Sequence, residues 1–99
     1  MEIVVRDKKY NVIKDYKEAL LNSNLDEVVT EYYDNFDYIV GDWAYGKLRL
    51  KGFYNKNHKF VKDHNNIEKV EEYITNNCAY GCKHFILEKV KNKDVEKKG

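Results

Sequence analysis

Ninety-nine residues, 42% hydrophobic and 35% charged, suit one globular domain and exclude both a disordered chain and a multidomain one. A formal net charge of only +1 excludes overall basicity as a basis for nucleic-acid contact, so any such contact must rest on a local patch. No apolar run approaches the ~20 residues that cross a bilayer. The opening MEIVVRDKKY lacks a signal-peptide pattern, and two cysteines make no disulfide framework, so the expected compartment is the cytoplasm.

In chain order, residues 3–5 and 10–13 read as two short strands around Arg6-Asp7-Lys8-Lys9. Asp15, with Glu18 three residues on, gives a capping-box signature for a helix carrying Tyr16, Ala19 and Leu20 on one face. Asn24 with Glu27 repeats the signature, and Leu25, Val28, Val29, Tyr32 and Phe36 follow at helical spacing. Residues 38–54, YIVGDWAYGKLRLKGFY, then alternate with period two on both sides of a turn at Trp43-Ala44-Tyr45-Gly46, which predicts a β-hairpin.

Two registers are open, Asp42 opposite Lys47 or opposite Arg49. Both place Ile39, Gly41, Leu48 and Leu50 on one face and Tyr38, Val40, Asp42, Lys47, Arg49, Lys51 and Phe53 on the other. A one-residue slip would mix oil and charge, so the pattern selects its own faces. Gly41 and Gly52 mark close backbone approach or a bulge. Beyond a polar loop at 55–59, Asn65 and Glu68 give a third cap signature for a helix with Ile67, Val70 and Ile74 inward. Gly81 is a candidate left-handed cap. Residues 82–90 form the last strand, Phe85 and Leu87 facing one way and Cys82, His84 and Ile86 the other. It can pair parallel, through a right-handed crossover, or antiparallel.

The expected fold is thus a single α+β domain over residues 1–90, a mostly antiparallel sheet with about three helices in the order β-β-α-α-β-β-α-β. A disordered polar tail follows over 91–99.

The hairpin and the later segment NNCAYGCKHFILEKV resemble the YutD-like family of small bacterial proteins. The matching positions are Ile39 to Trp43, Tyr45, Leu48 to Tyr54, Cys78, Gly81, Cys82 and Phe85 to Lys89. Ala44 departs from the glycine frequent in the family. The resemblance spans roughly residues 2 to 90 and implies a small binding or regulatory module.

The residues offer three chemistries. Lys47, Arg49 and Lys51 beside Tyr38 and Phe53 offer cations to phosphate and rings to bases, a surface suited to RNA or DNA. The bland alternatives are a solvated cationic edge that resists aggregation, or a face covered by helices with long stems reaching water. Trp43, Tyr45 and Tyr80 at loop tips are candidate anchors for another protein. Cys78, Cys82 and His84 have metal or redox chemistry, although C-x-x-x-C-x-H is not the usual zinc spacing and a fourth ligand would have to come from His58 or His64. His84 stands roughly 6–7 Å along the strand from Cys82, too far to serve as its base. No phosphate loop, dinucleotide fingerprint or hydrolase elbow is present. The expectation is a non-enzymatic binding module without a cofactor.

Overall fold

The computed structural model describes residues 1–77 and 81–90; the expected tail at 91–99 lies outside the described residues. Five strands form one antiparallel sheet: β1 (Glu2–Val5), β2 (Lys8–Tyr16), β3 (Tyr38–Ala44), β4 (Lys47–Phe53) and β5 (His84–Lys89), in the spatial order β1-β2-β5-β3-β4. The last strand inserts at the centre, antiparallel to both β2 and β3. Of the placements open in the sequence, the antiparallel one is realised, and β5 pairs with β2 and β3, not with β4.

The hairpin forms in the shorter-loop register, with Asp42 opposite Arg49 and Val40 opposite Lys51. Tyr45 and Gly46 both take positive φ, 54° and 76°, the geometry that matches a two-residue loop to the strands' twist. The two faces are those the alternation requires, and both are covered. Ile39, Phe85, Leu87 and Tyr10 pack under Ala19, Leu25 and Val29. Val40, Phe53 and Ile86 pack under Val70 and Ile74 of α2 (Val70–Asn77).

The two helices expected after Asp15 and Asn24 are where the structure departs most. β2 continues through Tyr16, because Lys14, Asp15 and Tyr16 pair with Ile86, Phe85 and His84 after a bulge at Ile13. Long-range ladder bonds outweigh a local capping signature. The Asp15 carboxylate still accepts a backbone bond, from Leu20 at 3.0 Å, but it closes a turn instead of starting a helix. Lys17, Glu18, Asn22 and Asn24 have positive φ, which no helix tolerates. The second expected helix shrinks to one turn, α1 (Leu25–Val28), and a 3₁₀ turn at Glu31–Asn35. So short a helix is marginal alone and persists because Leu25 and Val29 are buried. The third expected helix forms, capped one residue later than expected: the Asn66 side chain accepts from the Glu68 amide at 2.9 Å.

Two glycines permit the close packing. A Cβ on Gly41 would stand 2.3 Å from the Phe85 ring, and one on Gly52 2.3 Å from the Phe36 ring. Phe85 has no exposed surface and nowhere to retreat. Gly41→Ala is expected to lower stability by about 2–3 kcal/mol through overpacking, a fall in Tm of roughly 10–20 °C. Thermal unfolding followed by circular dichroism reads it, and an unchanged Tm would contradict the packing described.

Tyr10 is buried, and burial first, then the charge of Asp34, raises its phenol above the ordinary 10.0. Tyr38 is raised by burial and then by Glu88, and Tyr73 by burial and then by Asp42. The folded chain therefore holds these protons more tightly than the unfolded one. That stability is fully present below the unfolded value and is lost as pH rises through the folded values. Melting temperatures should stay level up to about pH 10 and fall above it; a level profile further into alkali would count against burial of these phenols.

Candidate functional site

The hairpin face that offers cations and rings is only partly available. Phe53 has no exposed surface, and its ring lies 5.5 Å from Tyr73 of α2 at a 72° interplanar angle. It cannot stack on a base. Tyr38 is half-buried, with its hydroxyl 3.4 Å from the Glu88 carboxylate. Lys51 is half-buried, its ammonium 5.4 Å from the Phe53 ring centre and 5.7 Å from that of Tyr73. Lys47 is exposed. The residues are brought together as the alternation required, but α2 covers the aromatic part because Val40, Phe53 and Ile86 make the face too apolar to leave wet.

Arg49 is committed locally. Its Nε and a terminal nitrogen donate to the two Asp42 oxygens at 2.9 and 3.1 Å. Those hydrogen bonds first, and the Asp42 charge second, hold its guanidinium above the ordinary arginine range. Asp42 is 1% exposed, so this is not the weak surface pair expected of an exposed hairpin.

The loop-tip aromatics divide. Tyr45 is fully exposed at the hairpin tip. Trp43 is half-buried; its indole N–H donates to the Ala19 carbonyl at 2.8 Å, and the Lys83 ammonium sits 5.0 Å from its ring. It ties the turn after β2 to the sheet and is no anchor. Tyr80 and Cys78 lie outside the described residues. Cys82 is disulfide-bonded, which corrects the expectation that the cysteines make no disulfide, and it offers neither a thiolate ligand nor a nucleophile in that state. His84 is buried, stacked on Tyr16 at 5.1 Å, with Nδ1 3.0 Å from the Cys82 carbonyl oxygen. His58 and His64 sit in the segment between β4 and α2, apart from His84. Among the described residues no cluster of three or more metal-ligating side chains occurs.

A different feature is larger than any of these. Six rings run in contact from the 3₁₀ turn before β3 to the loop after β4. Tyr32 meets Tyr33 at 4.9 Å and Phe36 at 5.5 Å; Phe36 meets Tyr54 at 4.8 Å; Tyr54 stacks on His58 at 4.1 Å; His58 meets Phe60 at 5.6 Å. Phe36 lies flat over Gly52, which lets the ladder rest on the outer strand. Tyr32 is 66% exposed and Phe60 59%. The sequence pattern places Tyr32 and Phe36 on a helix's core stripe, Tyr54 at the end of the hairpin, His58 in a polar loop and Phe60 in a short extended piece beyond it. The available signal was the recurrence of aromatics on both flanks of the hairpin, which only the hairpin's closure makes adjacent.

Beside the ladder, a hollow of about 190 Å³ is lined by Tyr32, Tyr33, Phe36, Leu50, Gly52 and His64, among others. β4 is an outer strand of the sheet. Exposed rings beside a hollow of mixed lining, with Lys51, His64 and Asn65 among the rings, offer a partner both contact area and polar groups at a sheet edge.

The fold is thus that of a small single α+β domain with a five-stranded antiparallel sheet. Residues 4–88 match a family profile described as "Putative antitoxin YutD-like", and the chain belongs to that family. It is 29% identical over 89 residues to the "Putative antitoxin YutD" of Bacillus subtilis (strain 168), covering 90% of this chain and 98% of that protein. The solution NMR structure of YutD from B. subtilis superposes with a TM-score of 0.74 at 28% identity, over 92% of this chain and 83% of that one. Among the described residues no helix is long and apolar enough to cross a membrane.

Arg49→Leu would leave the buried Asp42 carboxylate without its bidentate partner. The expected cost is about 2–3 kcal/mol, below the usual figure for a fully buried pair because water reaches the Arg49 side. Asp42→Asn with Arg49→Leu should recover part of that loss in urea unfolding. Equal losses in the single and double variants would show that the pair does not act as a unit.

Proposed function

We propose that this protein is a non-enzymatic, cofactor-free protein-binding module of the cytoplasm, acting as an antitoxin-type regulator that captures a partner protein. The observation that carries this reading is the aromatic ladder, exposed at Tyr32 and Phe60, beside the hollow at β4. Exposed tyrosine and phenylalanine in contact with one another give large, rigid contact area at small entropic cost, and such rings dominate interface energetics. An antitoxin neutralises a toxin, and the names of the relatives support a protein partner for this chain as well. Tyr45 at the hairpin tip is a further anchor on the same reading.

RNA or DNA contact is the second reading. It rests on exposed Lys47 and half-buried Lys51 and has lost the stacking ring at Phe53. The two readings separate in one experiment: affinity capture from a native lysate, with and without nuclease, using wild type and a Tyr32→Ser, Phe60→Ser variant. Under the protein-binding reading the captured partner survives nuclease and falls at least about tenfold in the ring variant. Capture that vanishes with nuclease, weakens steeply with salt and ignores the ring variant would overturn it in favour of nucleic acid.

A further inference from the structure

We infer that the outer edge of β4 is a strand-addition site, taking an extended segment of the partner protein in which acidic residues alternate with apolar ones. The inference rests on the protein-binding reading and adds its mode and the chemistry of the segment.

The backbone supplies the first argument. The Trp43 amide donates to the Lys83 carbonyl at 3.1 Å, so Ile39, Gly41 and Trp43 of β3 turn their backbone groups toward β5, and Tyr38, Val40 and Asp42 turn theirs toward β4. Given the register, Arg49, Lys51 and Phe53 are the β4 residues that bond β3. The amides and carbonyls of Leu48, Leu50 and Gly52 therefore point outward. Tyr54 has the same parity and verifies it. Its N–H donates to the Asn65 carbonyl at 2.7 Å, and its carbonyl accepts from the Ile67 amide at 3.0 Å, a parallel bridge on the outer side of the strand. One residue beyond β4, the chain thus already adds a strand to this edge. It turns away at Asp63–Asn65, and among the described residues nothing pairs with the outward groups of 48, 50 and 52.

The second argument is that a hollow lies on each side of that edge. The aromatic hollow, about 190 Å³, is on the Leu50 and Gly52 side. The other, about 330 Å³, is bordered by Lys51, Lys69, Asp63, Glu72 and Tyr73 against α2. Lys51 and His64 border both. A strand hydrogen-bonded to β4 sends successive side chains to opposite faces, so alternate residues would enter the ring-lined hollow and the one against α2. Strand addition gains affinity from main-chain bonds and specificity from alternating pockets of this kind.

Charge selects the occupant. Lys47, Arg49 and Lys51 line one face of β4. A second copy of the chain paired antiparallel through this edge about position 49 would set Lys47 opposite Lys51 and Arg49 opposite itself. Like charges directly opposed are destabilising. With Arg49 held by Asp42, it is exposed Lys47 and half-buried Lys51 that favour an acidic residue at the alternate positions of the incoming strand.

The test titrates the ¹⁵N-labelled full chain with synthetic peptides of about seven residues, long enough to span the strand. One alternates glutamate with valine and leucine, a second has lysine for glutamate, and a third is the acidic peptide N-methylated at alternate residues. The acidic peptide is expected to shift the Leu48, Leu50 and Gly52 amides and slow their exchange, with the other two at least about tenfold weaker. Lys47→Glu with Lys51→Glu should reverse the preference toward the basic peptide. Leu50→Pro removes an outward amide without touching a β3 bond and should abolish binding of either. Shifts confined to Tyr32, Tyr54 and Phe60, unaffected by N-methylation, would overturn strand addition while leaving the protein-binding reading standing. No β4 shift at saturating acidic peptide, or an unchanged preference in the charge-reversed variant, would likewise overturn it. Loss of partner capture in the ring variant, with full capture by Leu50→Pro, would separate the two in the same direction.

Discussion

Phe85 occupies the space that any side chain at position 41 would need, and that contact locks the last strand into the middle of the sheet. β5 lies between β2 and β3, so it is the strand that joins the N-terminal strands to the hairpin in one sheet. His84, Phe85, Ile86 and Leu87 are all buried, as befits a central strand covered on both faces. The turns around Ala19 and the single-turn α1 have little intrinsic stability and are held by the apolar surface this strand completes.

Two-sided burial also decides which surfaces remain for binding. α2 stabilises the domain by covering Val40, Phe53 and Ile86, and in doing so removes Phe53 from any ligand. The cations of the same face are led outward: Arg49 through its bond to buried Asp42, Lys51 along the rings of Phe53 and Tyr73. What reaches solvent is a rim of charge beside a strand edge. The aromatic ladder on the opposite side has the complementary origin. Phe36 lies against Gly52, and its neighbours on either side have no further layer to hide beneath.

The two features together make an asymmetric border along β4, aromatic on one side and cationic on the other, with outward backbone groups between. A border of that composition discourages pairing with itself and suits a partner of opposite pattern, the logic of specificity by repulsion as well as attraction. Membership of the YutD-like family places the chain among relatives named as antitoxins.

By itself, the sequence determined the elements whose pattern is local. The alternation from Tyr38 to Phe53 carried the hairpin and its two faces, and the stripe Ile67, Val70 and Ile74 carried α2. The same held for Phe85 and Leu87 against His84 and Ile86. The family was legible too, since its motifs lie in those same stretches. Tertiary structure alone decided the rest. Asp15 and Glu18 read as a helix cap because a capping box is a four-residue signal, whereas the strand that replaced it depends on pairing with residues some seventy positions away. Phe53 read as exposed because its own strand alternates correctly, and alternation says nothing about what later packs on the face. The ladder was invisible because Tyr32, Phe36, Tyr54, His58 and Phe60 become neighbours only when the hairpin closes between them, a proximity that no periodicity along the chain encodes.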